Sequence, residues 1–160
     1  MKLLNITAKI HVYTIDECNE SKKKLIERAK LATHMAYAPY SGFCVGAAVL
    51  LENGEIISGN NQENAAYPSG LCAERVTVFN ANSQFSQTGI EAIAIAAFHD
   101  GDYTNEPCYP CGSCRQTLLE VENRFGKSLK VIMYGESAIY EVDSIKDLLP
   151  LSFGKESLKE

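Results

Sequence analysis

The feature that most constrains this chain is a pair of cysteines, Cys111 and Cys114, which follow a proline and stand three residues apart. Residues at helical spacing continue from Gln116 to Val121, so both sulfurs are predicted to lie on one face of the first turn of a helix. Cysteines arranged in this way are typical metal ligands. A catalytic zinc ion takes three protein ligands and keeps a fourth position for water, so the pair requires one more thiolate or imidazole.

Cys72 is the best candidate for the third ligand. It opens a second predicted helix, which continues through Val76 and Phe79, and a helix N-terminus favours the thiolate over the thiol. A metal lying beyond both helix ends is then within reach of all three sulfurs. Glu74 stands two residues after Cys72 and would point away from it on a regular helix, so spacing alone does not place the carboxylate in the same site.

The segments Cys72-Ala73-Glu74 and Pro110-Cys111-x-x-Cys114 together resemble the signature of the zinc-dependent nucleoside and nucleobase deaminases, and in detail that of the cytidine deaminases. Residues 38–48 resemble the first block of that family, residues 59–67 its ribose-binding block, and residues 148–153 its C-terminal end. The resemblance covers about residues 25 to 153. A cysteine at position 72, where some relatives have histidine, resembles the short, homotetrameric branch.

This resemblance implies a role for each residue around the metal. One Zn²⁺ per chain would be held by Cys72, Cys111 and Cys114, and Glu74 would move protons without being a ligand. Arg75 would hydrogen-bond the ligand sulfurs and offset the negative charge of three thiolates.

The resemblance also implies how a nucleoside would bind. The backbone around Ala73 would read the edge of the base. Asn61 and Glu63 would hold the ribose 3′-hydroxyl, as donor and acceptor. Phe43 and Phe153 would stack about the pyrimidine, with Phe153 contributed by a neighbouring subunit of a homotetramer.

Each residue also has a simpler interpretation. The three cysteines are alternatively small buried hydrophobic residues or a structural zinc knuckle. Glu74 is alternatively a first-turn carboxylate that favours the helix dipole, and Arg75 an exposed surface residue. Turn chemistry accounts equally for Asn61, and core packing for Phe43 and Phe153.

Cys108 lies three residues before Cys111, and a run of three such cysteines suggests an iron–sulfur motif. The usual fourth cysteine followed by proline is missing, so we expect Cys108 to be a bystander. The remaining cysteines and histidines are predicted to be packing residues or satisfied polar groups: Cys18, Cys44, His11, His34 and His99.

Composition narrows the classes of partner. The chain has 160 residues with 20 acidic and 15 basic side chains, a formal charge of -5, and no basic run longer than residues 22–24. Nucleic-acid binding is disfavoured, because it requires a basic groove. No apolar segment approaches the roughly 20 residues of a membrane span. Clustered cysteines without a recognisable signal peptide lead us to expect a reducing cytoplasm.

The pattern of apolar residues predicts an α/β fold with one domain over residues 1–160. Five predicted strands form a mixed sheet inside a three-layer α/β/α sandwich, with strand–helix–strand crossovers and one hairpin. Alternation over Leu4 to Thr14 predicts an extra strand within residues 1–15, either an edge strand or an intersubunit ribbon. A helix capped by Asp16 or Asn19 is predicted to continue up to Pro39, and residues 154–160 form a charged tail.

We therefore predict zinc-dependent deamination of cytidine, and of deoxycytidine, in pyrimidine salvage. A deaminase of a related small molecule such as blasticidin S shares the zinc motifs and is the nearest alternative. A zinc or iron–sulfur module that only binds a partner is the alternative of a different class, and it would leave Glu74 and the ribose-binding block without a purpose.

Overall fold

Three α-helices, seven β-strands and four short 3₁₀-helices make up the regular structure of residues 1–158, which are the residues that the computed structural model describes. The helices are α1 (Glu20–Thr33), α2 (Ala73–Gln84) and α3 (Gly112–Phe125). The strands are β1 (His11–Tyr13), β2 (Cys44–Leu51), β3 (Ile56–Asn60), β4 (Ile90–His99), β5 (Asp102–Tyr103), β6 (Lys130–Tyr134) and β7 (Ile139–Val142). Within this part of the chain, every helix is too short or too polar to cross a membrane.

The strands form one mixed sheet in the order β1-β7-β6-β4-β2-β3, with β5 paired to β4. Only β4 and β6 pair in parallel among the described strands. Alternate residues of the central strands face two cores: α1 packs on one face, and α2 with α3 on the other. The predicted three-layer sandwich and its five strands are confirmed. β5 is an additional short strand that the sequence pattern did not reveal.

Strand direction decides where the helices begin. Because β2 runs antiparallel to both β3 and β4, those two strands run in the same direction. Helix α2 comes after β3, and helix α3 comes after β4 and the two-residue strand β5 that pairs with the end of β4. Only β2 separates β3 from β4, so the two strands that lead toward the helices lie roughly 10 Å apart.

Two glycines allow the helices to approach the sheet closely. A Cβ atom at Gly46 of β2 would lie 2.0 Å from the Ala29 carbonyl oxygen of α1, and one at Gly59 of β3 would lie 2.8 Å from Thr77 Oγ1 of α2. Larger residues at these positions would push the helices outward. Close packing at Gly59 holds the start of α2 beside the segment that follows β3.

Helix α1 begins after Asn19, one of the two predicted caps, but ends earlier than predicted. The Asn19 side chain accepts a hydrogen bond from the Lys22 amide at 2.9 Å, so Asn19 is the cap. The helix stops at Thr33 and does not reach Pro39. The reason is tertiary, because the Tyr37 amide donates to the Asn61 carbonyl at 3.1 Å and the backbone there pairs with the segment after β3.

The predicted N-terminal strand over Leu4 to Thr14 is shorter than expected. Only β1 is a strand, and it occupies the outer edge of the sheet beside β7. Residues 1–10 have no regular secondary structure, and all of them are exposed. The limit is set by the partner, because β7 has only four residues.

A buried carboxylate anchors β1 to the rest of the sheet. Glu141 of β7 is 3% exposed and accepts hydrogen bonds from the Tyr13 hydroxyl and from Lys22 Nζ, the latter at 2.6 Å. Lys130 Nζ lies 3.6 Å away. Burial acts to raise the pKa of Glu141, but the bonds from Lys22 and Tyr13 outweigh it and the pKa is lowered.

We predict that Glu141→Gln lowers the free energy of unfolding by about 1–3 kcal/mol near pH 7, because it removes the charge that these donors surround. A carboxylate whose folded pKa is depressed stabilises the protein above its unfolded pKa and loses that effect as pH falls through the folded value. The difference in free energy of unfolding between wild type and Glu141→Gln should therefore narrow as pH falls below about 4.5. Urea unfolding at several pH values measures this difference.

The matched control is Glu20→Gln, because Glu20 is an almost fully exposed carboxylate of α1. Its substitution should change stability by less than about 0.5 kcal/mol. Equal effects of the two substitutions would show that the Glu141 network does not anchor the strand.

Candidate active site

Three sulfur atoms meet where α2 and α3 begin. Cys72 is the N-cap residue of α2, Cys111 is the N-cap residue of α3, and Cys114 lies in the first turn of α3. The Cys72 and Cys111 sulfurs are 3.8 Å apart, those of Cys111 and Cys114 are 3.5 Å apart, and all three lie within 4.8 Å of one another. Tetrahedral zinc with Zn–S bonds of about 2.3 Å requires sulfurs about 3.8 Å apart, so the triad fits that ion.

The ionisation of these thiols also fits a cation. Contacts from Cys114, and then from Arg75 and Cys111, lower the pKa of Cys72. The neighbouring Cys72 sulfur, together with burial, raises the pKa of Cys114. The Cys72 thiolate therefore suppresses ionisation of Cys114, and a bound cation would remove that penalty. A soft, thiolate-rich donor set of this kind suits zinc.

Fixed positive charge surrounds the triad. The positive ends of the dipoles of α2 and α3 both lie at the sulfurs. Arg75 Nη2 donates to the Cys72 sulfur at 3.8 Å, and this contact raises the pKa of Arg75. The Nε atom of Arg75 is buried without a hydrogen-bond partner among the described residues. Arg75 is therefore not merely a solvated surface residue.

Glu74 reaches the same site despite its spacing from Cys72. As an N-cap, Cys72 has extended backbone angles (φ -70°, ψ 154°), so its side chain does not follow the helical pattern that would separate it from Glu74. The Glu74 side chain is buried at 5% exposure in the first turn of α2, immediately after the Cys72 cap. Burial raises the pKa of Glu74, a bond from its own amide opposes the rise, and the Cys72 charge adds to it.

A cavity of about 560 Å³ opens beside Cys72. Its wall includes Cys72, Arg75, Asn61 and Glu63, so one predicted metal ligand and both predicted sugar-binding residues line the same cavity, whereas Cys111 and Cys114 do not. That volume suits a small organic ligand. Five further lining residues were not singled out from the sequence, although they lie within residues 38–48 and 59–67, which resemble family blocks: Tyr40, Ser41, Gln62, Asn64 and Tyr67.

The two predicted sugar-binding side chains also hold the backbone that leads into β2. Asn61 Oδ1 accepts from the Val45 amide at 2.8 Å, and its Nδ2 donates to the Phe43 carbonyl at 2.9 Å. Glu63 accepts from the Ser41 hydroxyl at 2.5 Å and from the Tyr40 amide at 2.8 Å. The Ser41 hydroxyl, and then the Tyr40 amide, lower the pKa of Glu63. Both side chains keep free hydrogen-bonding capacity toward the cavity.

Of the predicted base-binding residues, Ala73 adjoins the triad, whereas Phe43 and Phe153 lie away from the cavity in the single chain. Ala73 is the buried first residue of α2. Phe43 is partly buried with its ring 5.6 Å from that of His99, and it does not line the cavity. Phe153 is 60% exposed and lies beside Phe79 on a different surface, so it is not a core residue of its own chain.

The other cysteines and histidines lie outside the triad. Cys108 packs against the apolar core, and burial raises its pKa to about 12. In the described residues the triad is the one group of three candidate ligands, and Cys108 is not part of it. Cys18 is buried, Cys44 is half-buried, and the histidines make hydrogen bonds: His11 to Asp143, His34 to Tyr103 and His99 to the Gly42 carbonyl.

Comparison with known proteins agrees with the zinc site that this geometry indicates. Residues 19–126 match the family model described as the cytidine and deoxycytidylate deaminase zinc-binding region. The chain is 40% identical over 136 residues to a cytidine deaminase of Sporosarcina psychrophila, which covers 85% of this chain and 93% of the relative. It is 37% identical over 139 residues to that of Halalkalibacterium halodurans, covering 87% and 98%.

A solved structure agrees. The crystal structure of cytidine deaminase from Burkholderia pseudomallei superposes with a TM-score of 0.70 at 39% identity, over 82% of this chain and 98% of that one. The cysteine triad, the carboxylate beside it and these comparisons agree with one another, and the chain belongs to the cytidine and deoxycytidylate deaminase family.

Proposed function

We propose that this protein hydrolyses cytidine, and also deoxycytidine, to uridine or deoxyuridine with release of ammonia. The observation that carries the proposal is a buried carboxylate, Glu74, in the first turn of α2, next to a triad of sulfurs whose spacing fits zinc. A structural zinc site has no need of a buried carboxylate beside its ligands.

Cys72, Cys111 and Cys114 would hold one Zn²⁺. Three protein ligands leave a position open, and zinc in such a site lowers the pKa of water so that it becomes a nucleophile near neutral pH. Three thiolates make the site electron-rich, which weakens this effect. Arg75 and the two helix N-termini supply the compensating positive charge.

Glu74 would carry the protons. Its burial favours the neutral form of the carboxyl group, so it accepts a proton readily and returns it. In the reaction it takes a proton from the attacking water, delivers one to ring nitrogen N3, and helps to protonate the departing amine at C4. The backbone at Ala73, the residue before Glu74, and at Cys111, the N-cap of α3, would read the base edge.

Asn61 and Glu63 would hold the ribose 3′-hydroxyl in the cavity. The Glu63 carboxylate would accept a hydrogen bond from that hydroxyl, and the Asn61 side-chain amide would donate one to it. An uncharged nucleoside needs no basic groove, which agrees with the net charge of -5. Phe43 and a neighbour's Phe153 would stack on the pyrimidine.

We further propose a homotetramer of single-domain chains acting in the cytoplasm. Exposure of the Phe153 ring supports its use by another subunit, and the Gln116 side chain holds the Phe153 carbonyl at 2.9 Å. Residues 159 and 160 of the predicted charged tail lie outside the described residues. In a closed symmetric assembly, every chain can contribute its Phe153 ring to a neighbour's site and receive one from another neighbour.

The function is tested by incubating the zinc-loaded protein with cytidine and following the ultraviolet change to uridine. We predict that wild type converts cytidine, and that Glu74→Gln keeps its zinc but loses about 10²- to 10⁴-fold in kcat, because an amide neither accepts nor returns a proton. Blasticidin S is the comparison substrate. Faster turnover of blasticidin S than of cytidine would contradict the proposed substrate. A loss of kcat smaller than tenfold in Glu74→Gln would contradict the role of Glu74.

We predict one zinc per chain, lost with activity in Cys111→Ser and retained with activity in Cys108→Ser. The physical reason is that Cys111 belongs to the sulfur triad, whereas Cys108 packs in the apolar core. Metal analysis of the purified variants measures the difference, and absorbance distinguishes an iron–sulfur cluster. Equal zinc loss in both variants would refute the ligand assignment.

We predict that Phe153→Ala keeps zinc but lowers kcat/KM roughly ten- to hundredfold, because an aromatic ring stacked on a base contributes about 1–3 kcal/mol. Mixing Phe153→Ala chains with Glu74→Gln chains should restore part of the activity, since some sites then combine an intact Glu74 with a donated Phe153. After mass measurements confirm exchange, activity no higher than the average of the parents would show that the ring does not cross between chains.

A further inference from the structure

The N-terminal segment carries an apolar stripe that the chain itself does not cover. Apolar and polar residues alternate from Leu4 to Val12, with the apolar set at positions 4, 6, 8, 10 and 12. Leu4 is 72% exposed, Ile6 55%, Ile10 48% and Val12 60%. The segment lies before residue 19, where the match to the family model begins, so the deaminase site does not account for it.

The edge beside this stripe is open. β1 is the outermost strand, and only one of its two sides is paired, by β7, with His11 opposite Glu141. Continuing that register sets Ile10 opposite Val142, the last residue of β7. Residues 4–9 therefore extend beyond β7, and none of the described strands lies opposite them.

This edge lacks the devices that usually prevent pairing with another chain. Proteins protect open edges with proline, bulges or several charged residues. From Leu4 to Val12 there is no proline, and Lys9 is the one charged residue apart from the titratable His11. β1 is also firmly held, because Tyr13 is bonded to the buried Glu141. A fixed strand with a free outer side is a template for a further strand.

We propose that residues 3–13 pair antiparallel with the same residues of a second copy of this chain, about a twofold axis at Ala8. The polarity pattern itself identifies this partner, because the apolar positions are symmetric about Ala8. In this register Leu4 faces Val12 and Ile6 faces Ile10 of the other chain.

The polar side is compatible with the same register. Lys9 faces Thr7, and His11 faces Asn5, so no like charges are directly opposed. A slip of one residue would set the apolar side of one strand against the polar side of the other, which disfavours it. The resulting ribbon is isologous and joins the β1 edges of two sheets. It is independent of the deaminase reaction and of Phe153.

Cysteine cross-linking of full-length, zinc-loaded protein tests this register. Ala8→Cys places two thiols opposite each other on the axis, within the Cα separation that a disulfide allows. In a dimer of Leu4→Cys alone, or of Val12→Cys alone, the two introduced cysteines lie eight residues apart along the ribbon, about 26 Å, which is too far for a disulfide. In a mixed dimer of the two variants, the cysteine at position 4 lies opposite the cysteine at position 12.

Under mild oxidation we expect Ala8→Cys to form disulfide-linked dimer in a yield roughly tenfold or more above that of Leu4→Cys alone or Val12→Cys alone. We expect the mixture of Leu4→Cys with Val12→Cys to show the same increase. Mass spectrometry of the linked peptides separates these bonds from any made by the six native cysteines. Ala8→Cys that links no more than Leu4→Cys, or links through native cysteines only, would overturn the proposal.

Two substitutions added to Ala8→Cys separate specific pairing from chance collision. Ile6→Asp puts a charge in the apolar stripe and should lower the linked fraction roughly tenfold. Thr7→Asp puts the same charge opposite Lys9 and should preserve or increase it. Equal linking in both double variants would show that the segments collide without the proposed register. Zinc content and cytidine turnover should be unchanged in both.

Discussion

The mutual repulsion of three closely spaced thiolates is the constraint around which this structure is arranged. Sulfurs within 4.8 Å of one another do not all ionise without compensating positive charge. The fold supplies that charge from two helix N-termini and from Arg75, and the spacing of the sulfurs leaves room for zinc. The helix starts meet because β3 and β4 run in the same direction on either side of β2.

The wall of the cavity shows how binding and structure share the same residues. Asn61 and Glu63 line the cavity, yet they also hold the segment from Tyr40 to Val45 by three hydrogen bonds to its backbone and one to the Ser41 hydroxyl. The entry into β2 and the proposed sugar site are thus one hydrogen-bonded unit. A substitution at either residue affects the position of this segment as well as any direct contact with a ligand.

The N-terminal strand illustrates how a sheet edge is attached without a large core. β1 has three residues and little apolar contact, and its attachment depends on Tyr13 and on the buried charge of Glu141 with Lys22. A buried carboxylate with several donors holds one geometry, because every alternative leaves it unpaired. The rest of the segment has no such anchor, which is why its apolar stripe remains exposed.

Local sequence determined the main element types, the five core strands and the two cysteine-bearing helix starts, because periodicity and capping act within a few residues, but it left Asp16 and Asn19 as alternative caps of α1. It did not determine that α1 ends at Thr33, since the Tyr37 backbone leaves the helix to pair with a segment more than twenty residues away. Nor did spacing place Glu74 beside Cys72. The non-helical backbone of the N-cap and the burial of the first turn of α2 decided that, and both arise only when the helices pack on the sheet.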